Sequence, residues 1–310
     1  MAQASVTLQR GAAALERTQK PRTVWSEAWR RFRHNTLAIF GALVIALFAV
    51  VVAAGPILYA KDPAATNFAV ASQLPSADHP LGTDDLGRDM LARMLFGGRI
   101  SIAVGITAML ISIVLGTLIG AAAGFFGGWL DTLLMRVTDM FLSLPTLAVV
   151  LLIGSLYREP VKAALGANLG IFTLVVAIIG VLNWMATARL VRGAFLALKE
   201  REFVEASRAL GVKSRDIITR HILPNSIGPI AVSATLNVGA AIITESTLSF
   251  LGEGLPSDVP TWGRLLFENK EFIQLTPHLV IWPCLAIFLT VLSVNFVGDG
   301  LRDALDPRGK

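Results

Sequence analysis

Five stretches of this chain lack Asp, Glu, Lys and Arg for longer than a helix needs to cross a bilayer: residues 37–59, 100–130, 163–188, 222–244 and 272–298. In a hydrocarbon core no water can pair with exposed peptide groups, so such a run must satisfy its own backbone. Residues 37–59, coiled as a helix, would measure about 34 Å against a core of about 30 Å. A sixth run, 140–157, is shorter and carries Pro145, but it still falls in the spanning range. Composition agrees: only 16% of the 310 residues are charged and 54% are hydrophobic, whereas a soluble domain carries about 25% charge. The expected fold class is all-α, a polytopic membrane protein with six transmembrane helices. The first run is too long for the apolar core of a secretory signal and is read as a retained anchor.

Orientation follows from lysine and arginine. With the N-terminus in the cytoplasm, 19 of the 27 basic residues fall on the inner side and 8 on the outer side, and both ends lie inside. The net charge of +5 is thereby a matter of topology. It marks no nucleic-acid face, and no nucleic-acid partner is expected. Residues 1–36 form a basic cytoplasmic tail. Within it Val24, Trp25, Ala28, Trp29 and Phe32 make an apolar stripe opposite Arg30, Arg31 and Arg33. Such a helix suits the headgroup layer of the lipid bilayer, or else the start of the first span. Residues 37–310 are the membrane domain.

Several chemistries lack their residues. The single cysteine, Cys284, permits no intrachain disulfide, and four scattered histidines form no metal-ligand pair, so no metal site is expected. No phosphate-binding Gly-x-x-x-x-Gly-Lys-Ser/Thr loop occurs; the nearest match, Gly211-Val212-Lys213-Ser214, lacks the part that wraps phosphates. No serine sits in a nucleophile elbow. The chain is expected to be non-catalytic and to bind no cofactor of its own.

The segment 201–229, REFVEASRALGVKSRDIITRHILPNSIGP, is charged and punctuated by turns amid apolar sequence. Its first part has helical periodicity to Leu210; Gly211 can close that helix in the left-handed conformation. Ser214 is placed to cap a second short helix that Pro224 ends. Glu205-Ala206-Ser207, then Gly211, then Leu223-Pro224 resemble the EAA loop in the permease subunits of bacterial ABC importers. That family's loop is cytoplasmic and docks on an ATPase. Ser207 stands where the pattern has its second alanine, and His221 where an isoleucine is usual. The resemblance makes Glu205, Ala206, Ser207, Gly211, Leu223 and Pro224 candidate residues of an ATPase-coupling loop within about 189–228.

Between the first two runs, residues 79–101 place Leu86, Met90, Leu91, Met94 and Leu95 on one helical face, with Thr83 or Asp84 as caps. A helix lying on the outer membrane surface is expected there. The wording of this stretch, of PTWGRLLFENKEFI and of VNFVGDGLRDALDPR is similar to the C-type permeases of dipeptide and oligopeptide importers. In the last of these, Gly298 and Gly300 are expected to break the final helix. Gly116, Gly120 and Gly124 recur every four residues and suit close helix packing. Glu245 is a carboxylate in an apolar setting: either a residue of the translocation pathway or gate, or a group held at the outer end of the fifth span by a cation or water.

The resemblance, which runs from about residue 25 to 308, implies a type I permease fold in the bacterial inner membrane. It implies four partners: a second, homologous permease, two ABC ATPase subunits that bind ATP and Mg, and a periplasmic substrate-binding protein. Substrates of the group are di- and oligopeptides, while relatives carry nickel or other small solutes. An ion-driven secondary transporter would instead need paired intramembrane charges or an inverted repeat, and a membrane scaffold would use the tail and loop only as binding surface.

Overall fold

Asn35 divides an amphipathic helix from the first span. The computed structural model describes residues 24–256 and 258–305; residues 1–23 of the basic tail, and the side chains of Val24 and Trp25, lie outside the described residues. α1 (Val24–His34) stops at Asn35, whose extended backbone lets its side chain accept the Ala38 N–H and cap α2 (Thr36–Leu58). Of the two expectations for this stretch, a separate helix is what forms. Ala28 is buried, and Phe32 packs beside the start of α2 and the end of the last helix.

α3 (Met90–Phe126) is one unbroken 37-residue helix. The separate surface helix expected over 79–101 is therefore corrected: residues from Met90 onward are the first turns of the span itself, and Asp89, not Thr83 or Asp84, caps it by accepting the Ala92 N–H at 2.9 Å. The charges that argued against a continuous span all find partners. Arg99 donates to the Val52 and Ala53 carbonyls of α2 at 2.8 and 2.6 Å. The Val52 carbonyl is free because Pro56, four residues on, has no N–H to offer it. Arg93 is buried against Asp84 and Glu268.

α4 (Gly128–Ser143) and α5 (Thr146–Leu165) meet at 86° around Leu144 and Pro145, so the run 140–157 is not one straight crossing. α6 (Ala167–Leu182) and α7 (Trp184–Lys199) follow in line. Gly116, Gly120 and Gly124 lie against α7 as their spacing predicts: a Cβ on Gly116 would stand 2.7 Å from the Trp184 carbonyl, and one on Gly124 2.8 Å from that of Arg192. After the short α8 (Glu202–Ala209) comes α9 (Ser214–Phe250), then α10 (Trp262–Asn269) and α11 (His278–Leu305).

Pro224 does not end a helix. A π-helical turn over Ile217–Ile222 precedes it, with the Leu223 N–H reaching back five residues to Ile218, and the chain runs on as a span. The wider turn admits a proline ring that a tight α-turn would exclude. Lys213, rather than Ser214, takes the cap position. Gly298 and Gly300 do not break α11 either; they are where it touches its neighbours, Gly298 against Thr235 and Leu236, Gly300 against Ala38.

The described residues thus form an all-α protein with five helices or helix pairs long and apolar enough to cross a membrane, six if the bent α4–α5 pair counts as one crossing. α1, the start of α9 and the end of α11 share one end of the molecule with α8, since Gly228 packs on Leu305 and Gly300 on Ala38. We call this the elbow end. The opposite, cap end is built from the 59–89 segment and α10.

Candidate functional site

At the elbow end, α8 closes as its sequence predicts. Gly211 has φ +74°, its N–H reaches the Arg208 carbonyl at 2.9 Å, and the Val212 N–H reaches that of Ser207 at 3.1 Å. This pair of bonds is the Schellman closure, and the left-handed residue within it favours glycine. The elbow is anchored from beneath. Val204, Ile217 and Ile222 are buried against Phe125 of α3 and Val191 and Phe195 of α7.

The opposite side is uncovered. Glu205, Ala206 and Gly211 are exposed, Leu210 is 83% exposed, and a Cβ on Gly211 would meet nothing within 4 Å. Ser207, the departure from the alanine pattern, turns its hydroxyl back onto the Phe203 carbonyl at 2.7 Å and so adds no outward polar group. His221 lies 6.5 Å from the Phe203 ring. Glu205, Ala206, Ser207 and Gly211 therefore share one helix and its closing turn. Leu223 and Pro224 stand apart from them at the root of α9, Leu223 packing with the buried cluster and Pro224 exposed.

Glu245 lies at the far end of α9 and is 0% exposed. Hydroxyls surround it: Ser249 Oγ donates to one carboxylate oxygen at 2.7 Å, and Ser101 Oγ of α3 points to the other at 3.4 Å. Ser101 Oγ in turn accepts the Trp262 backbone N–H at 3.2 Å. No cation pairs with Glu245 among the described residues. The carboxyl thus ties α9 to α3 and, through Ser101, to the start of α10.

The cap is held by two ionic clusters that the sequence did not announce, because the partners that complete them, Glu268 in one and Tyr59 and Lys61 in the other, come from distant parts of the chain. In the first, Asp84 meets Arg88 and Arg93, and Glu268 of α10 meets Arg88, Arg93 and Arg264 at 2.8 to 2.9 Å. In the second, Asp89 accepts from Tyr59 at 2.6 Å, from His79 at 2.7 Å and from Lys61 at 3.2 Å. Burial pushes the Asp89 carboxyl up, but the bonds from Tyr59, the Ala92 N–H, His79 and Lys61 outweigh it and hold the group below the usual carboxylate range.

A third polar group lies midway along the spans. Asn237 of α9 donates its amide to Ser112 Oγ of α3 at 3.3 Å and to Thr187 Oγ1 of α7 at 3.0 Å, and Thr187 is 2.9 Å from Ser233. Asn237 in an apolar run with Ser233 one turn earlier was the available sequence signal. Beside this group a cavity of about 510 Å³ opens on the elbow side, between α7, α9 and α11.

Comparison with known proteins agrees with this architecture. Residues 116–310 match the family model described as binding-protein-dependent transport system inner membrane component, and residues 23–75 match the N-terminal TM domain of oligopeptide transport permease C. The chain is 40% identical to the dipeptide transport system permease protein DppC of Alkalihalophilus pseudofirmus, over 92% of this chain and 90% of that one. It is 40% identical to the glutathione transport system permease protein GsiD of Pectobacterium atrosepticum, covering 95% and 94%. It is 38% identical to the oligopeptide transport system permease protein OppC of Bacillus subtilis, covering 94% and 92%. Among solved structures, a chain from inward-facing conformations of the MetNI methionine ABC transporter superposes with TM-score 0.54 at 18% identity, over 70% of this chain and 96% of that chain. At that identity the likeness bears on the fold alone.

Proposed function

Because the chain belongs to the family of binding-protein-dependent transport system inner membrane components, we propose that it is the C-type permease subunit of an ATP-driven importer of di- and oligopeptides. It is a multi-pass membrane permease; in this proposal its elbow end faces the cytoplasm and its cap end the periplasm. A second, homologous permease completes the pathway. Two ATPase subunits, carrying ATP and Mg, grip the elbow, and a substrate-binding protein delivers peptide at the cap. The chain itself catalyses nothing and binds no cofactor.

The observation that carries the reading is the elbow: a glycine-closed helix, rooted in a buried cluster on one side and bare on the other, with Glu205, Ala206, Leu210 and Gly211 uncovered. Small residues there let another backbone approach closely, so ATPase motion passes through the rooted helix into α3, α7 and α9. Glu205, Ala206, Ser207 and Gly211 would form the contact, with Leu223 and Pro224 joining the elbow to the span. The peptide assignment rests on the named substrates of the relatives, glutathione being itself a short peptide.

The test is reconstitution of the four-subunit complex in proteoliposomes. ATP together with the loaded binding protein should drive uptake of a labelled dipeptide. Uptake driven by an ion gradient without ATP would overturn the importer mechanism, and ATP-driven uptake of nickel but of no peptide would overturn the substrate.

A further inference from the structure

We infer that the 510 Å³ cavity between α7, α9 and α11 is a transit site for a peptide of two to three residues, with Asn237 taking its backbone N–H and Arg302 its terminal carboxylate. This deepens the importer proposal and rests on it.

The polar equipment of the cavity is asymmetric. Its walls are mostly apolar, formed by residues such as Leu190, Val232 and Leu236, and no acidic residue lines it. At the deep end Asn237 is held in a fixed orientation, because its amide nitrogen donates to hydroxyls on two different helices. The amide oxygen is left as an acceptor on a residue that lines the space. At the elbow end stands Arg302, exposed and without an ion-pair partner among the described residues. Asp299 and Asp303 belong to the same helix but do not line the cavity, and Asp303 takes a hydrogen bond from Asn35 at 3.5 Å. One preorganised acceptor and one free cation, separated by apolar wall, suit a ligand with N–H donors at one end and an anion at the other.

The spacing selects the length. Gly228 faces Leu305, and Gly239 faces Val291 and Asn295, so α9 and α11 run antiparallel in a known register. Asn237 then stands level with about residue 296, and Arg302 lies about 9 Å further along the axis. An extended peptide advances about 3.3–3.6 Å per residue, so two to three residues bridge the gap. The volume fits the range of about 300–1,000 Å³ found for small-ligand sites.

The experiment uses the complete complex in proteoliposomes. Uptake of a labelled dipeptide is compared with that of its C-terminal amide, each rate divided by the occupancy of the binding protein for that compound. In Arg302→Gln the preference for the free acid should narrow about tenfold, the loss expected for one charge-assisted hydrogen bond, and Arg302→Lys should restore part of it. In a Cys284→Ser background, Leu236→Cys should be labelled during turnover by a dipeptide bearing a thiol-reactive group, and Leu285→Cys should not. The proposal is overturned if Arg302→Gln leaves the acid-to-amide ratio unchanged or if Leu236→Cys escapes labelling while uptake proceeds. It is equally overturned if native mass spectrometry finds that Arg302→Gln removes a bound anionic phospholipid without altering uptake. A wild-type complex without ATP-driven uptake would instead remove the importer reading, and this site with it.

Discussion

Arg93 Nη1 lies 2.6 Å from Asp84 Oδ2, and both side chains are 1% exposed. Two charges this far from water are tolerable because neither is alone: Asp84 also accepts the Leu86 and Arg88 N–H groups, and Arg93 also reaches Glu268. Removing one partner of such a pair costs about 3–5 kcal/mol, since the other stays buried and uncompensated. Asp84→Ala should therefore lower the thermal midpoint of the detergent-solubilised protein steeply. Asp84→Asn, which retains an acceptor for the two backbone bonds, should fall between it and wild type. Equal midpoints for Asp84→Ala and wild type would mean that the cluster does not hold the cap.

Asp89 gives the cap an acid limit. Its folded pKa lies below the ordinary value, so its stabilising contribution is full above about pH 4, the unfolded value, and is lost as pH falls through the folded value. Tyr59 and Lys61 are shifted upward: burial raises Tyr59, while burial pushes Lys61 down but is outweighed by its bonds to Tyr59 and Asp89 and their charges. Their contributions are present below about pH 10 and are lost above it. Stability should thus be level from about pH 5 to 9 and drop on the acid side. Asp89→Asn, which still caps α3, should flatten that acid limb; an unchanged limb would exclude Asp89 as its source.

Gly120 and Gly154 make a matched pair of helical glycines. A Cβ on Gly120 would run into the Ala188 carbonyl and stand 2.9 Å from Val191 Cβ, whereas one on Gly154 would meet nothing within 4 Å. Gly120→Ala should destabilise by about 1–3 kcal/mol through overpacking of α3 on α7. Gly154→Ala should be neutral or slightly stabilising, because alanine favours helix. Thermal melts of the two variants decide the matter, and equal effects would contradict the packing described.

Glu245 should tolerate glutamine better than leucine. Gln keeps an oxygen that accepts one of the Ser249 and Ser101 hydroxyls and turns an amide N–H toward the oxygen of the other, while Leu leaves both without a partner at a cost of about 1–3 kcal/mol. The loss should appear as faster hydrogen exchange at the Trp262 amide, which bonds to Ser101. Identical exchange in Glu245→Gln and Glu245→Leu would show that the hydroxyl cradle does not position α10.

The spans were legible because a long charge-free run in lipid leaves the backbone few options. The elbow was legible because Gly211 sits where a left-handed residue must close α8. The misjudged boundaries share one cause: distant partners overrode local signals. Arg93 and Arg99 looked incompatible with a span until Asp84, Glu268 and the Val52 and Ala53 carbonyls were seen to receive them. Pro224 looked like a stop until a π-turn made room for its ring. Gly298 and Gly300 looked like breakers, yet each is a contact point with a neighbouring helix. The cavity beside Asn237 has no sequence signature beyond a lone amide in an apolar run, since its walls come from three separated helices.

Gly211 offers a functional counterpart to these stability tests. Its left-handed backbone makes any side chain strained by about 1–2 kcal/mol, yet the space around it within this chain is empty. Gly211→Asp should therefore insert and fold, while ATPase subunits fail to co-purify with it and uptake is lost. Retention of both would place the contact elsewhere.

Coupling depends above all on where the elbow lies and what covers it. Leu210→Cys in a Cys284→Ser background can be probed with a membrane-impermeant maleimide in vesicles of known sidedness. Labelling is expected in inside-out vesicles stripped of ATPase subunits, protection when those subunits are restored, and no labelling in right-side-out vesicles. Labelling from the right-side-out face would put the elbow on the wrong side of the membrane and contradict the coupling mechanism.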